Sequence, residues 1–264
     1  MTVIDAIVLG FTQGATEFIP VSSSGHLTLL QYLMGGANDH LFIEFINIGT
    51  LLALLVFFRK KVLEIIVELF VRKNYRLARN ILITAIPAGV AGLLLADVIE
   101  QAGFFGSVVT VAAALGVVGI VMILVEKLPR MSSVKSGEKL PWTRALFIGL
   151  VQTLALIPGV SRSASTMIAG RVSGLKPGEA AEYSFLVSIP IMCGVTFKML
   201  VGSGGRVYLH ENLGTLLLSN AVAFVVGLAA IGFLMKYLQK ERSLQLFGWY
   251  RVVLAIVLLI MFLL

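Results

Sequence analysis

The chain has 264 residues, of which 58% are hydrophobic and 13% are charged, and it carries a formal net charge of +7. A soluble domain of this length has roughly twice that charged fraction, so the composition excludes an ordinary water-soluble protein. The positive charge is concentrated in three stretches between apolar segments rather than spread over one surface. We therefore expect the membrane as a partner and no nucleic acid.

Six apolar segments recur along the chain, and each is long enough to cross a hydrocarbon core about 30 Å thick. These segments are 42–58, 81–99, 107–125, 184–202, 214–235 and 246–264. They predict an all-α polytopic membrane protein with six transmembrane helices. The one cysteine, Cys193, falls in the fourth segment, where we expect a buried small apolar residue.

Basic residues are distributed unevenly between the connecting loops. Loops 59–80, 127–144 and 236–242 are rich in Lys and Arg, whereas loops 97–106 and 203–213 contain one basic residue between them. This alternation is the positive-inside pattern, in which the basic loops of a membrane protein lie in the cytoplasm. The pattern predicts that both termini lie outside.

The two halves of the sequence resemble each other at a constant offset. A shift of 138 residues places Pro20 on Pro158 and superposes three apolar segments of the first half on three of the second. Self-similarity at a fixed offset predicts an internal repeat. The repeats are 1–126 and 140–264, joined within a single membrane domain by the basic cytoplasmic loop 127–139. Because each half crosses the membrane an odd number of times, the second repeat is inverted relative to the first.

A polar, proline-containing segment precedes the three apolar segments of each half. Backbone groups left unpaired next to proline are tolerated at membrane depth only where protein buries them or water reaches them. We therefore predict two re-entrant helix pairs in an inverted-topology repeat, meeting near the membrane midplane. The half-helices are 6–18 with 24–34 and 145–156 with 163–173, around turns at 19–23 and 157–162.

The first polar motif, QGATEFIPVSSSGH, runs from Gln13 to His26. Its Glu17 is ionisable within an apolar region, which is costly unless the carboxylate faces a cavity, a cation or a partner. Three serines at 22–24 and Gly25 open the second half-helix, where free N–H groups and the helix dipole favour an anion, most often phosphate. The alternative interpretation is that the serines only cap the helix.

His26 closes this motif beside the serine-rich turn. Imidazole titrates near neutral pH, which suits a nucleophile or a general acid or base. A lone histidine in a membrane segment is more often a hydrogen-bonded structural residue. We favour a functional role because Glu17 lies only nine positions earlier, whereas His40 and His210 fall in predicted external loops.

The second polar motif, PGVSRSAST, begins at Pro158. Its Arg162 carries a permanent charge and a planar fork of donors that suits phosphate oxygens. The repeat predicts that Arg162 lies at membrane depth opposite Glu17, and the alternative is a purely structural ion pair between the two. Arg251 also lies within an apolar segment, where it could pair with a buried carboxylate, although the sequence identifies no partner for it.

With these two motifs the chain resembles the bacterial undecaprenyl-diphosphate phosphatase family, which is associated with bacitracin resistance. The similarity extends over essentially the whole chain. Gln13 stands where some members of that family have a second glutamate, and Ala164 stands where glycine is usual.

The resemblance implies hydrolysis of undecaprenyl diphosphate to undecaprenyl phosphate and inorganic phosphate, which recycles the lipid carrier for peptidoglycan and other envelope polymers. It also implies a site in the bacterial inner membrane that faces the periplasm or cell exterior, with Mg²⁺ or Ca²⁺ held by Glu17. The residues carried over as catalytic are Glu17, Ser23, His26 and Arg162. The expected phosphate-binding residues are Gln13, Ser22, Ser24, Gly25, Gly159, Ser161 and Ser163.

Several alternatives stay open at this level. The nucleophile is Ser23, His26 or a water activated by His26. A transporter or flippase of polyprenyl phosphate lipids is the alternative class, because inverted repeats with broken helices are typical of carriers. The oligomeric state is also open, with a homodimer among the expectations.

Overall fold

The computed structural model describes residues 2–34, 39–101, 107–127, 134–240 and 242–263. Within these ranges the chain is helical and contains no β-strand. The α-helices of the described ranges are α1 (Val3–Thr16), α2 (Ser23–Leu33), α3 (His40–Phe57), α4 (Arg59–Phe70), α5 (Arg76–Gln101), α6 (Val108–Val125), α7 (Trp142–Gln152), α8 (Arg162–Val172), α9 (Pro177–Val201), α10 (Ser203–Glu211), α11 (Leu213–Tyr237) and α12 (Leu244–Leu263).

Six of these helices, α3, α5, α6, α9, α11 and α12, are long and apolar enough to cross a membrane. They coincide with the six predicted segments, although α5 and α9 each begin several residues earlier. Their outer surfaces expose large apolar side chains such as Leu93, Leu217 and Phe233. Exposed apolar surface of this extent suits contact with lipid rather than water. The prediction of an all-α protein with six membrane-crossing helices is therefore confirmed on length and composition.

The structure corrects the sequence analysis at two connections and at the cysteine. The connections 59–80 and 203–213, predicted as loops, contain the helices α4 and α10. Pairs of opposite charge one turn apart, such as Lys61 with Glu64, stabilise α4, although no residue of α4 is buried. Cys193 is exposed on α9 rather than buried, because lipid-facing positions of a spanning helix are as apolar as core positions.

Two pairs of short helices, α1 with α2 and α7 with α8, match the predicted half-helices to within a few residues. A 3-10 turn, Thr153–Leu156, extends α7 before the chain reverses. Ser22 and Ser161 stand directly before α2 and α8, and both have the same left-handed φ of 74°. Non-glycine residues rarely adopt this conformation, so the two turns share an unusual backbone geometry.

Close packing of α6 against α12 forms a wall behind both turns. A Cβ atom on Gly119 would lie 2.7 Å from the carbonyl oxygen of Gly248, and one on Gly248 would lie 2.8 Å from that of Gly119. Only glycine permits backbones to approach so closely. Both turns lie against Val111 of α6. A Cβ atom on Gly159 would lie 2.7 Å from the Val111 carbonyl oxygen, and a Cβ atom on Gly25 would lie 3.4 Å from the Val111 side chain.

The core contains side chains from both halves of the chain. Its largest cluster of buried apolar residues includes Phe18 and Phe58 as well as Phe185 and Phe247. Parts of three predicted loops lie outside the described residues, namely 102–106, 128–133 and position 241.

Candidate active site

An ion pair joins the two polar motifs. Glu17 follows the C-terminus of α1, and its Oε1 contacts Nη2 of Arg162, the first residue of α8. The two side chains are mostly buried, with 11% of Glu17 and 20% of Arg162 exposed. The fold therefore brings together two residues that are 145 positions apart in the chain.

The second oxygen of the Glu17 carboxylate accepts two further hydrogen bonds. Ser23 donates its hydroxyl to Oε2 at 2.6 Å, and Gln13 donates its amide to the same oxygen at 3.2 Å. The Gln13 amide also donates to Oδ1 of Asn47 at 2.6 Å. Hydrogen bonds of this kind fix the orientation of the carboxylate.

A cavity of about 200 Å³ lies around these groups. Most of its walls are polar, and they come from both motifs together with α3. Its lining residues are Gln13, Glu17, Ser23, Ser24, Leu27, Ile43, Asn47, Ala155, Ser161, Arg162 and Ser163. Seven of the predicted site residues therefore share one cavity.

The serines of the two turns serve in two different ways. Ser22 accepts a hydrogen bond from the backbone N–H of Gly25 at 3.4 Å, and Ser161 accepts one from that of Ala164 at 3.3 Å. Both are N-cap interactions, so the capping interpretation holds for Ser22, and Ser161 caps α8 in the same way while it also lines the cavity. Ser23 and Ser24 face the cavity.

The N-termini of α2 and α8 both lie at this cavity. In each, the capping serine also contacts the serine two residues later: Ser22 contacts Ser24 at 3.3 Å, and Ser161 contacts Ser163 at 3.1 Å. Free N–H groups at helix N-termini are the kind of donor that binds anions, and the cavity also contains the guanidinium of Arg162. Three other predicted phosphate-binding residues, Ser22, Gly25 and Gly159, shape the turns but are not among the residues lining the cavity.

His26 lies behind the first turn and is not among the lining residues either. Its Nδ1 is 2.7 Å from the carbonyl oxygen of Ser22, and its Nε2 is 2.7 Å from the hydroxyl of Tyr250. A carbonyl oxygen only accepts, so Nδ1 carries the proton in this arrangement. In the neutral ring, Nε2 then accepts from Tyr250.

Arg251 does not pair with a carboxylate among the described residues. Its side chain is fully buried, and its four hydrogen bonds within the described residues all go to backbone carbonyls. The acceptors are Pro20 of the first turn, Gly159 and Val160 of the second, and Leu115 of α6. The arginine bonds in this way because the broken backbone of the two turns leaves carbonyls that need donors.

Sequence reasoning missed two residues of this region. Asn47 lines the cavity from α3, and its signal was an amide side chain inside an apolar segment. Tyr250 is the partner of His26 across 224 positions, and no local pattern indicates such a pairing.

The helices and this cavity define a multi-pass membrane protein with a largely buried polar cavity at the N-termini of α2 and α8. A comparison of the sequence with protein families leads to a narrower assignment. Residues 6–257 match the family described as bacitracin resistance protein BacA, and the chain belongs to that family.

Relatives named as undecaprenyl-diphosphatases resemble the chain over nearly its full length. An undecaprenyl-diphosphatase of Clostridium tetani is 38% identical over 99% of this chain and 97% of its own. Undecaprenyl-diphosphatase 1 of Clostridioides difficile is 39% identical over the same shares. An undecaprenyl-diphosphatase of Korarchaeum cryptofilum is 37% identical over 98% of this chain and 99% of its own.

Proposed function

We propose that this protein hydrolyses undecaprenyl diphosphate to undecaprenyl phosphate and inorganic phosphate, the activity for which its relatives are named. The observation that carries the proposal is the direct contact of Glu17 with both Ser23 and Arg162 inside one cavity. The reaction recycles a lipid carrier for peptidoglycan and other envelope polymers, and the family description links it to bacitracin resistance.

Arg162 and the N-termini of α2 and α8 bind the diphosphate. A guanidinium has five N–H donors, and the ion pair with Glu17 is made by Nη2 alone, so other donors can turn to phosphate oxygens. Hydrogen-bond donors held in place before the reaction stabilise the charge that develops on the transferred phosphoryl group. The Ser24, Ser161 and Ser163 hydroxyls add donors along the same wall.

Ser23 is the nucleophile that the contacts favour. Its hydroxyl donates to Glu17, which can take the proton as Ser23 Oγ attacks the terminal phosphorus. The bond between that phosphorus and the bridging oxygen breaks, and undecaprenyl phosphate leaves with the bridging oxygen and its electron pair. Water then attacks the phosphoserine, releases inorganic phosphate and restores the Ser23 hydroxyl. His26 is less suited to the attack, because its Nε2 is hydrogen-bonded to Tyr250 and His26 is not among the residues that line the cavity.

A divalent cation is compatible with the donors at this site. Glu17, the amide oxygen of Asn47 and the serine hydroxyls are hard oxygen ligands of the kind that Mg²⁺ and Ca²⁺ prefer. The described residues contain no group of three or more His, Cys, Asp or Glu side chains able to hold a metal alone. The diphosphate would therefore complete the coordination, with Glu17 as the protein's carboxylate ligand. When bound, the cation supplies charge neutralisation on the phosphate oxygens.

The membrane arrangement we propose is an inverted repeat of 1–126 and 140–264. The matching turns at Ser22 and Ser161, each closing a pair of short helices, support this arrangement. The short pairs would be re-entrant, since neither of their helices reaches spanning length. The alternation of basic loops supports termini outside and a site that opens to the exterior of the inner membrane.

A phosphate-release assay tests the enzymatic proposal. Purified protein in detergent is incubated with undecaprenyl diphosphate and Mg²⁺, and inorganic phosphate is measured over time. Wild type and His210→Ala, which alters an exposed residue of α10, should release phosphate at the same rate. Absence of release by well-folded wild-type protein would reject the proposal and would leave the carrier alternative, which a lipid flux assay in liposomes addresses.

A further inference from the structure

Arg251 of α12 is the one fully buried arginine among the described residues, and it lies between the two turns of the site. Its Nη1 donates to the Pro20 carbonyl at 3.1 Å, and its Nη2 donates to Gly159 at 2.6 Å and to Val160 at 3.0 Å. One guanidinium therefore holds backbone from segments that are about 140 positions apart in the chain.

Burying a charge in this way is expensive. An ionised group inside a protein is normally paired with an opposite charge, because desolvation otherwise exceeds what its hydrogen bonds return. Within the described residues, every bond of Arg251 goes to a neutral carbonyl. An apolar side chain would leave these buried carbonyls without donors, so the filling of space beside α12 does not by itself explain the arginine.

The geometry of the guanidinium does explain it. The two terminal nitrogens of arginine lie in a rigid plane, and each of them serves a different turn. A lysine ammonium carries all its donors on one nitrogen and cannot occupy both positions. The backbone at Arg251 is itself held in place, because α6 and α12 are in close backbone contact at Gly119 and Gly248, one helical turn from Arg251.

The turns held by Arg251 carry the reacting groups. Pro20 lies between Glu17 and Ser23 in the chain. Gly159 and Val160 lie in the second turn, which ends at Arg162. The contact of Glu17 with Arg162 depends on the distance between the turns, and the contact of Glu17 with Ser23 depends on the shape of the first turn. A shift of about 1 Å in such a site can lower a rate by about 100-fold.

We propose that Arg251 is a positioning residue for phosphate hydrolysis: it joins the two turns through their carbonyls and keeps Glu17, Ser23 and Arg162 in register without touching the substrate. This role rests on the proposed function for its kinetic consequence. The structural consequence, coupled rigidity of the two turns, is independent of that function.

The experiment compares Arg251→Gln and Arg251→Lys with Val253→Ala, a control on the exposed face of the same helix. Hydrogen exchange is measured by mass spectrometry on peptides that cover 17–26 and 157–166, using protein that is monodisperse by size exclusion. Both arginine variants should exchange faster in both turns together, while the membrane-crossing helices and the control keep wild-type exchange. Faster exchange in one turn only, or in neither, would overturn the proposal.

Steady-state phosphate release on the same samples supplies the second measurement. We expect kcat to fall by about 100-fold in Arg251→Gln, with KM changed by less than about threefold, because the substrate contacts remain. Arg251→Lys should lose most of this activity as well. If Arg251→Gln does not fold, Arg251→Lys provides the test. Wild-type kcat in Arg251→Lys would overturn the proposal in favour of a simple charge effect. An inactive wild type that still shows the exchange pattern would reject the proposed function and leave the coupling of the turns in place.

Discussion

Ser23 and Glu17 lie on opposite sides of a proline turn, and the Ser23 hydroxyl donates to the Glu17 carboxylate at 2.6 Å. The same carboxylate holds Arg162 from the other half of the chain. One acid therefore connects a candidate nucleophile to a candidate phosphate ligand. The turn at Pro20 makes the arrangement accessible, because a continuous helix would carry residues six positions apart away from each other.

This contact predicts a covalent phosphoserine. Wild-type protein mixed with undecaprenyl diphosphate labelled at its terminal phosphate, then quenched in acid, should retain label on Ser23. Phosphoserine survives acid whereas phosphohistidine does not, so acid-stable label distinguishes Ser23 from His26. Ser23→Ala should lose the label and at least about 10³-fold in kcat. Acid-labile label, or full labelling of Ser23→Ala, would contradict this assignment.

Arg162 and Glu17 should show strong coupling in a double-mutant cycle. Arg162→Ala removes the positive group closest to the proposed phosphate position, and we expect kcat to fall by on the order of 10³-fold. It also leaves the mostly buried Glu17 without its cation, so the unfolding temperature should fall more than in Glu17→Gln/Arg162→Ala. The coupling is measured from kcat and the unfolding temperature of the two single variants and the double variant. Additive effects, or near-normal turnover of Arg162→Ala, would remove the proposed role of Arg162.

Tyr250 should act on the first turn through His26, whose Nδ1 is 2.7 Å from the carbonyl oxygen of Ser22, the residue before the proposed nucleophile. Tyr250→Phe removes the hydroxyl that is 2.7 Å from Nε2 but keeps the ring, so the expected loss in kcat is about threefold to tenfold. In a His26→Ala background the same substitution should have no further effect. Parallel kcat measurements in both backgrounds decide this, and an equal loss in the two would show that Tyr250 acts independently of His26.

Gly159 should be intolerant of any side chain. Its φ is +95°, and a Cβ atom would lie 2.7 Å from the carbonyl oxygen of Val111. Gly159→Ala should therefore destabilise the fold by about 1–3 kcal/mol, measured as a lower unfolding temperature in detergent. Gly194→Ala is the matched control, because no heavy atom lies within 4 Å of its Cβ position. An unfolding temperature of Gly159→Ala equal to that of this control would contradict the close approach of the second turn to α6.

Local features of the amino-acid sequence were sufficient for the membrane-crossing helices and for the positions of both turns. Hydrophobicity over the length of a bilayer predicted α3, α5, α6, α9, α11 and α12, and proline with serine predicted the breaks before α2 and α8. These properties depend on residues that are near one another in the chain, because helix length, capping and proline restrictions are local. Glu17 and Arg162 were also identifiable locally, because each is a charged residue in a proline-containing segment beside apolar stretches.

Tertiary structure decided which of those residues meet and which way their side chains point. The pairing of His26 with Tyr250 spans 224 positions, and Arg251 bonds carbonyls 231 positions away at Pro20 and 92 positions away at Gly159. A hydrogen bond needs its donor and acceptor within about 3 Å and in line, and a linear pattern does not encode that geometry for distant segments. Packing of α12 against α6 supplies it, and so determines that His26 faces Tyr250 while Ser23 faces the cavity.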